Sequence, residues 1–167
     1  MGFYSPSQLI QDARRHGVEI HPADVTASDW DCALEKTKAL RLGLRLIKGL
    51  GRKIGENLTK SRGEKPFRDL DDLMCRVKLN QAELQALATS GALNTLTNSH
   101  RRRAAWNASG ILPNIPIFKS NQIPEGIPMI RSPSEAEETY TDYTSMGLTL
   151  GTVSYTHLRA HETEADL

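Results

Sequence analysis

Six consecutive residues near the middle of the chain carry the clearest chemical signal: Lys48, Gly49, Leu50, Gly51, Arg52 and Lys53. They lie inside LRLIKGLGRKIGENL, residues 44–58, with Leu46, Ile47, Ile54 and Leu58 as apolar flanks. Two glycines around one leucine read as a very tight turn between two helices, where a Cβ would obstruct the backbone. Leu50 can tuck beneath that turn and pin it to a core. A helix starting at Gly51-Arg52 then offers free N–H groups and the positive end of its dipole, which together make an anion site. Lys48, Arg52 and Lys53 add charge at the same point, as a nucleic-acid phosphate requires. Contacts of this kind position a backbone and read no base sequence.

The other residues capable of chemistry are weaker candidates. Asp29-Trp30-Asp31 would put two carboxylates on one face of a strand. Ala27 and Ser28 beside it read as a turn, so no metal site is assigned there. Asp69, Asp71 and Asp72 fit a helix cap and first turn, where the dipole favours acids. His16 and His21 read as surface residues. Cys32 and Cys75 are far apart and form no CxxC, which argues against a disulfide scaffold or a zinc knuckle. Asn57-Leu58-Thr59 and Asn107-Ala108-Ser109 match a glycosylation pattern but fall on expected helices of a cytoplasmic chain. No catalytic residue and no metal ligand is expected.

Around these residues the chain reads as mainly α. Ser5 caps a helix that starts at Pro6, and Gly17 closes it after Arg14, Arg15 and His16. Residues 18–20 read as a short strand ended by Pro22, and Asp24 to Trp30 as a loop. Residues 39–44 read as a second strand, broken at Gly43. A short helix over residues 44–48 precedes the glycine turn, and a longer one runs from Arg52 to Ser61 with Gly63 as its stop. Asp69 caps a helix to Val77, with Leu70, Leu73, Met74 and Val77 on one stripe. Asn80 caps the next, with Leu84, Leu87 and Ala88 at helical spacing, and Gly91 closes it. Asn98 or Ser99 starts another helix through Ala108. Five of the eight prolines fall between residues 111 and 133, which reads as an extended linker. Ser134 and Glu137 then form a capping box for an acidic helix to Met146.

The leucine-glycine unit is thus the pattern of a helix-hairpin-helix. Residues 70–93 form a second such unit, with a degenerate Gly91-Ala92-Leu93 end. Two units bury a common core that one alone could not. A structural hairpin whose glycines serve packing only is the alternative.

Charge sharpens this. The net formal charge is +1, but residues 36–65 carry +8 and residues 97–120 carry +4, between acidic flanks. A local basic patch acts on a polyanion whatever the total, because fields decay over a Debye length of about 8–10 Å. A solvated helix face is the competing explanation of such a run. No apolar run approaches the roughly 20 residues of a membrane span, and no secretory signal is present. The reading is a reduced, cytoplasmic, soluble protein with no membrane partner.

Several segments, in order, resemble one family. MGFYSPSQLIQDARRHGVEIHPADVTASDWDC is similar to the end of the fingers region of bacterial C-family DNA polymerases. ALRLGLRLIKGLG, PFRDLDDLMCRVKL and LQALATSGALNTL resemble the tandem helix-hairpin-helix that follows. HRRRAAWNASG and PSEAEETYTDYTSMGLTLG continue in the manner of the error-prone branch. The resemblance covers about residues 1–152. It implies an internal fragment of a DNA-directed DNA polymerase acting in damage-induced mutagenesis and translesion synthesis. The metal-binding palm would lie upstream of Met1, so magnesium belongs to the parent and this chain alone would be inactive. A fragment of the replicative alpha subunit, or a non-enzymatic helix-hairpin-helix scaffold, are the alternatives. A hairpin-bearing glycosylase would need a Gly/Pro-to-Asp segment beyond the hairpin, which does not follow Lys60 at the right distance.

The expected organisation is therefore an end-of-fingers-like region with a short α/β segment over residues 1–38. Tandem hairpins that grip duplex DNA by its backbone follow over 39–110, then a proline-rich linker over 111–133. An acidic helix over 134–152 leads to a missing C-terminal domain. Residues 153–167 break the family pattern and read as the translated end of a sequencing adapter. Ile115-Pro116-Ile117-Phe118 lacks the glutamine-led, aromatic-ended form of the replicative relatives' clamp peptide. A sliding clamp or mutagenesis accessory proteins would be reached through the parent.

Overall fold

Four helices begin on side-chain caps that the sequence carries locally. The computed structural model describes residues 4–110 and 129–151. In it Ser5 and Gln8 form a capping box at α1 (Pro6–Arg15). The Asp69 carboxylate accepts from the Asp72 amide at the start of α3 (Leu70–Val77). Asn80 and Glu83 box the start of α4 (Gln81–Thr89), and Ser134 and Glu137 that of α7 (Glu135–Met146). Each such cap stabilises its helix by about 1 kcal/mol. The acidic helix therefore forms where its sequence places it. Part of the linker expected over residues 111–133, the Ile115–Phe118 segment, and the whole tail over 153–167 lie outside the described residues.

The remaining elements correct the reading at several points. Three strands form where one or two were expected: β1 (Ile20–His21), β2 (Ala33–Leu34) and β3 (Leu40–Arg41). Their order is β1-β3-β2, with β1 parallel and β2 antiparallel to β3. The register pairs Ile20 with Leu40 and Ala33 with Arg41. α2 (Arg52–Glu64) runs through Gly63 and ends only at Lys65, which is extended ahead of Pro66. The residue before a proline disfavours helical backbone, and that, not the glycine, ends the helix. Residues 44–48 form a single 3-10 turn, Leu44–Leu46, instead of a short helix. The Lys48 amide does not continue the turn because it donates to Ser145 O at 2.8 Å. An unexpected one-turn helix, α5 (Asn94–Thr97), precedes α6 (Arg101–Gly110). Asn98 closes α5 in a left-handed conformation (φ 47°) rather than opening α6, a backbone shape that asparagine tolerates.

The core joins all these pieces. Leu42 and Leu44 from the first hairpin and Leu58 from α2 are fully buried. So are Leu73 from α3, Leu84 and Leu87 from α4, Leu93 after the second turn, and Leu148 after α7. Burying one leucine stabilises by about 1.5–3 kcal/mol, so α7 is held partly through Met146 and Leu148. Two hydrogen bonds tie the N-terminal segment to elements far along the chain. The Val25 amide donates to Ala92 O at 3.0 Å, and the Arg14 guanidinium donates to Leu150 O at 2.7 Å. No helix among the described residues is long and apolar enough to cross a membrane.

Candidate nucleic-acid interface

The turn between the 3-10 segment and α2 is built by two residues with opposite tasks. Gly49 has φ +87°, the left-handed region that a side chain disfavours, so the reversal needs glycine there. Leu50 follows and is only 7% exposed, anchoring the turn from beneath as its apolar type suggested. Gly51 is different. Its φ of −75° is ordinary, and a Cβ there would meet nothing within 4 Å. Backbone strain therefore does not demand glycine at this second position; what glycine leaves there is open space in front of the helix.

That space lies at the start of α2, which has no side-chain cap. The first amides of a helix have no intrahelical acceptor, so those of Arg52 and Lys53 face outward without one. Lys53 is exposed, with no ion-pair or hydrogen-bond partner among the described residues. Arg52 is 73% exposed but bonds Glu56 at 2.7 Å, and that contact pushes its pKa further up. Lys48 stands at the other side of the turn. Its ammonium donates to Tyr143 O at 3.1 Å and Thr144 O at 3.0 Å, at the C-terminal end of α7.

The surrounding charge is narrower than the segment sum suggested. Each arginine of residues 36–65 has an acidic partner: Arg41 pairs Glu35 at 2.5 Å, Arg45 pairs Asp31 at 2.7 Å, and Arg62 pairs Asp29 at 2.6 Å, besides Arg52 with Glu56. Three of those acids come from the acidic N-terminal flank. A close ion pair is a dipole whose field dies quickly, so the long-range positive field rests on the lysines. All six lysines of the segment are exposed, and Lys53, Lys60 and Lys65 lie on or just after α2. Arg101 and Arg102 are likewise engaged, with Asp142 and Glu137, both at 2.7 Å.

The second turn repeats the backbone of the first. Gly91 has φ +80°, and Ala92 and Leu93 after it are fully buried. The helix that follows, α5, is one turn long. The two units touch directly, since a Cβ on Gly49 would lie 3.6 Å from Ala86 Cβ of α4.

Asp29 and Asp31 hold arginines, as just described, and among the described residues no group of three or more His, Cys, Asp or Glu side chains is arranged to hold a metal ion. Asp69 and Asp72 serve the α3 terminus. The Arg68 amide and then Arg76 and Arg68 keep the Asp72 pKa below the usual carboxylate value. His21 is not a lone surface residue. It lies 3.0 Å from Glu19, 3.1 Å from Glu35 and 3.0 Å from the Arg41 guanidinium, across the β1–β3 pair. The Glu35 pKa is lowered, first by Arg41 and to a lesser degree by His21. Cys32 and Cys75 are both free. The sequence reading passed over Gly55, whose place in the middle of α2 was the signal. A Cβ there would overlap the ring of Trp30, so the glycine is what lets the N-terminal loop lie against α2.

Comparison with known proteins places this geometry. Residues 17–104 match the helix-hairpin-helix motif family. A protein of Alkalilimnicola ehrlichii named "Error-prone DNA polymerase" is 47% identical over 155 residues, covering 90% of this chain and 15% of that protein. Proteins of the same name from Methylococcus capsulatus and Aromatoleum aromaticum are 44% and 45% identical, over 90% and 96% of this chain. The chain spans 15% or 16% of the length of these relatives. The resemblance read from the sequence is thereby borne out.

Proposed function

Because the chain belongs to the helix-hairpin-helix family, we propose that it grips duplex DNA by its phosphate backbone at the start of α2. The observation that carries this is the uncapped glycine N-terminus behind the left-handed Gly49 turn. A phosphate oxygen seated over Gly51 accepts from the amides of Arg52 and Lys53, the charge-favoured arrangement at a helix start. The Lys53 ammonium and the Arg52 guanidinium close around it, while Gly49 and Leu50 hold the turn. None of these groups reads a base edge, so the grip is indifferent to sequence.

The wider reading is that this chain is the DNA-holding part of an error-prone, DNA-directed DNA polymerase that works in the cytoplasm, in damage-induced mutagenesis and translesion synthesis. The printed name of the relatives, "Error-prone DNA polymerase", supports the polymerase part of this reading. Magnesium and nucleotidyl transfer belong to the parent enzyme: two-metal chemistry needs converging carboxylates, and the pair that the sequence offers for it, Asp29 and Asp31, is engaged by Arg62 and Arg45.

The experiment is fluorescence anisotropy of the full chain with labelled duplexes of unrelated sequence, alongside primer extension with magnesium and all four nucleotides. Similar affinity for every duplex, and no extension, is the expected result. A strong preference for one sequence, or no binding at low salt, contradicts the phosphate grip. Extension contradicts the assignment of catalysis to the parent.

A further inference from the structure

Lys48 is the residue whose place in the sequence and place in the structure differ most. It borders the glycine turn as one of the three cations beside the uncapped helix start. Its side chain, however, ends on α7, where the ammonium donates to Tyr143 O and Thr144 O and the backbone amide donates to Ser145 O. The last carbonyls of a helix have no intrahelical donor, as holds for Thr144 O and Ser145 O. Tyr143 O already accepts from the Gly147 amide and takes the ammonium as a second donor, and a cation there also meets the negative end of the dipole. Two of the three ammonium protons are committed in this way. α7 is fixed at other points as well. Asp142 accepts from Arg101 at 2.7 Å and from the Thr149 hydroxyl at 2.8 Å, and Met146 and Leu148 enter the core. All of α7 lies beyond residues 17–104, the part matched by the family.

We infer that Lys48 is a positioning residue and not a phosphate ligand: its side chain fastens the C-terminal turn of α7 to the hairpin, and α7 is the brace that holds the Gly49–Gly51 turn in its binding shape. This rests on the reading of that turn as the phosphate site. It also gives the acidic helix a task opposite in sign to its charge. By charge alone α7 repels DNA; as a brace it supports binding.

The test uses the full chain. Lys48→Met keeps the apolar stem and removes the ammonium, and Lys53→Met is its comparison. Duplex affinity is measured across a salt series, and hydrogen exchange is followed at the amides of residue 48 and Gly147, which donate to Ser145 O and Tyr143 O. Lys48→Met should weaken binding by about two- to fivefold at every salt concentration, as loss of one cation at a helix end would. Its salt slope should stay that of the wild type, and both amides should exchange faster. Lys53→Met should instead reduce the slope by about 0.9, the share of one neutralised phosphate. Asp142→Asn supplies a second arm: the brace predicts weaker binding, whereas charge alone predicts tighter binding.

A Lys48→Met slope reduced by about 0.9 overturns the proposal whatever the exchange shows, because that is the mark of a lost phosphate contact. Unchanged exchange at the two amides overturns it equally. A wild-type chain that fails to bind any duplex sinks the phosphate-site reading instead, and exchange then decides alone whether Lys48 holds α7.

Discussion

Trp30 and Gly55 pack so closely that a Cβ on the glycine would overlap the indole ring. The contact joins the N-terminal loop to the middle of α2, the helix whose start is the proposed phosphate site. Trp30 is also in the loop whose Asp29 and Asp31 pair with Arg62 and Arg45. One glycine thus lets the acidic flank reach the arginines of the basic segment.

Gly55→Ala should destabilise the chain although alanine is the better helix former. Overpacking costs about 1–3 kcal/mol, against a helix-propensity gain of about 1 kcal/mol. The net loss, up to about 2 kcal/mol, lowers Tm by as much as several degrees. Gly63→Ala is the matched control: it lies in the same helix, with nothing within 4 Å of its Cβ. It should raise stability by about 0.5–1 kcal/mol. Thermal unfolding of both variants checks the pair, and equal effects would contradict the Trp30 contact.

The two glycines of the turn should separate stability from binding. Gly49→Ala forces a side chain into left-handed backbone and should cost about 1–2 kcal/mol. Gly51→Ser should raise stability by a few tenths of a kcal/mol, because serine caps a helix start slightly better than glycine. The same hydroxyl competes for the amides that a phosphate needs, so DNA affinity should fall. Tm and duplex affinity measured together decide the matter; Gly51→Ser binding as well as the wild type would argue against the α2 start as the site.

Arg62 donates to Val25 O, Ser28 O and Asp29, and is largely buried. Arg62→Met should cost about 2–3 kcal/mol, in line with hydrogen bonds made by a charged group. The salt slope of DNA binding at a temperature where the variant is folded should not change, because the charge is already paired. A slope reduced as by a lysine variant would show that Arg62 reaches phosphate.

Glu137 gives a pH signature. The Ser134 amide, and next Arg102, hold its pKa down at about 2, from an ordinary 4.5. A lowered carboxylate pKa adds stability that is complete above 4.5 and is lost as pH falls towards 2. The Tm difference between the wild type and Glu137→Gln should therefore shrink across that window. A difference that stays constant through it would contradict the pairing.

What the sequence made legible was local. Ser5, Asp69, Asn80 and Ser134 announce their helices through bonds to amides three residues on, and Gly49 announces its turn through the residues beside it. The misreadings involve partners far along the chain. β2 consists of two exposed residues that pair with β3, which no alternation in Ala33–Leu34 reveals. Gly63 looked like a stop because its neighbours are polar, while the real stop lay at Lys65 before Pro66. The sum of +8 over residues 36–65 counted arginines whose partners, Asp29, Asp31 and Glu35, sit in a different segment. Lys48 looked like a phosphate contact because its acceptors, Tyr143 O and Thr144 O, lie some 95 residues downstream.

The phosphate grip itself is tested most directly by the salt dependence of duplex binding by the wild-type chain. With a phosphate grip, log K falls linearly with log salt, by about 0.9 for each phosphate neutralised, with the same slope for duplexes of unrelated sequence. Binding that hardly responds to salt, or a slope that changes with sequence, would contradict it.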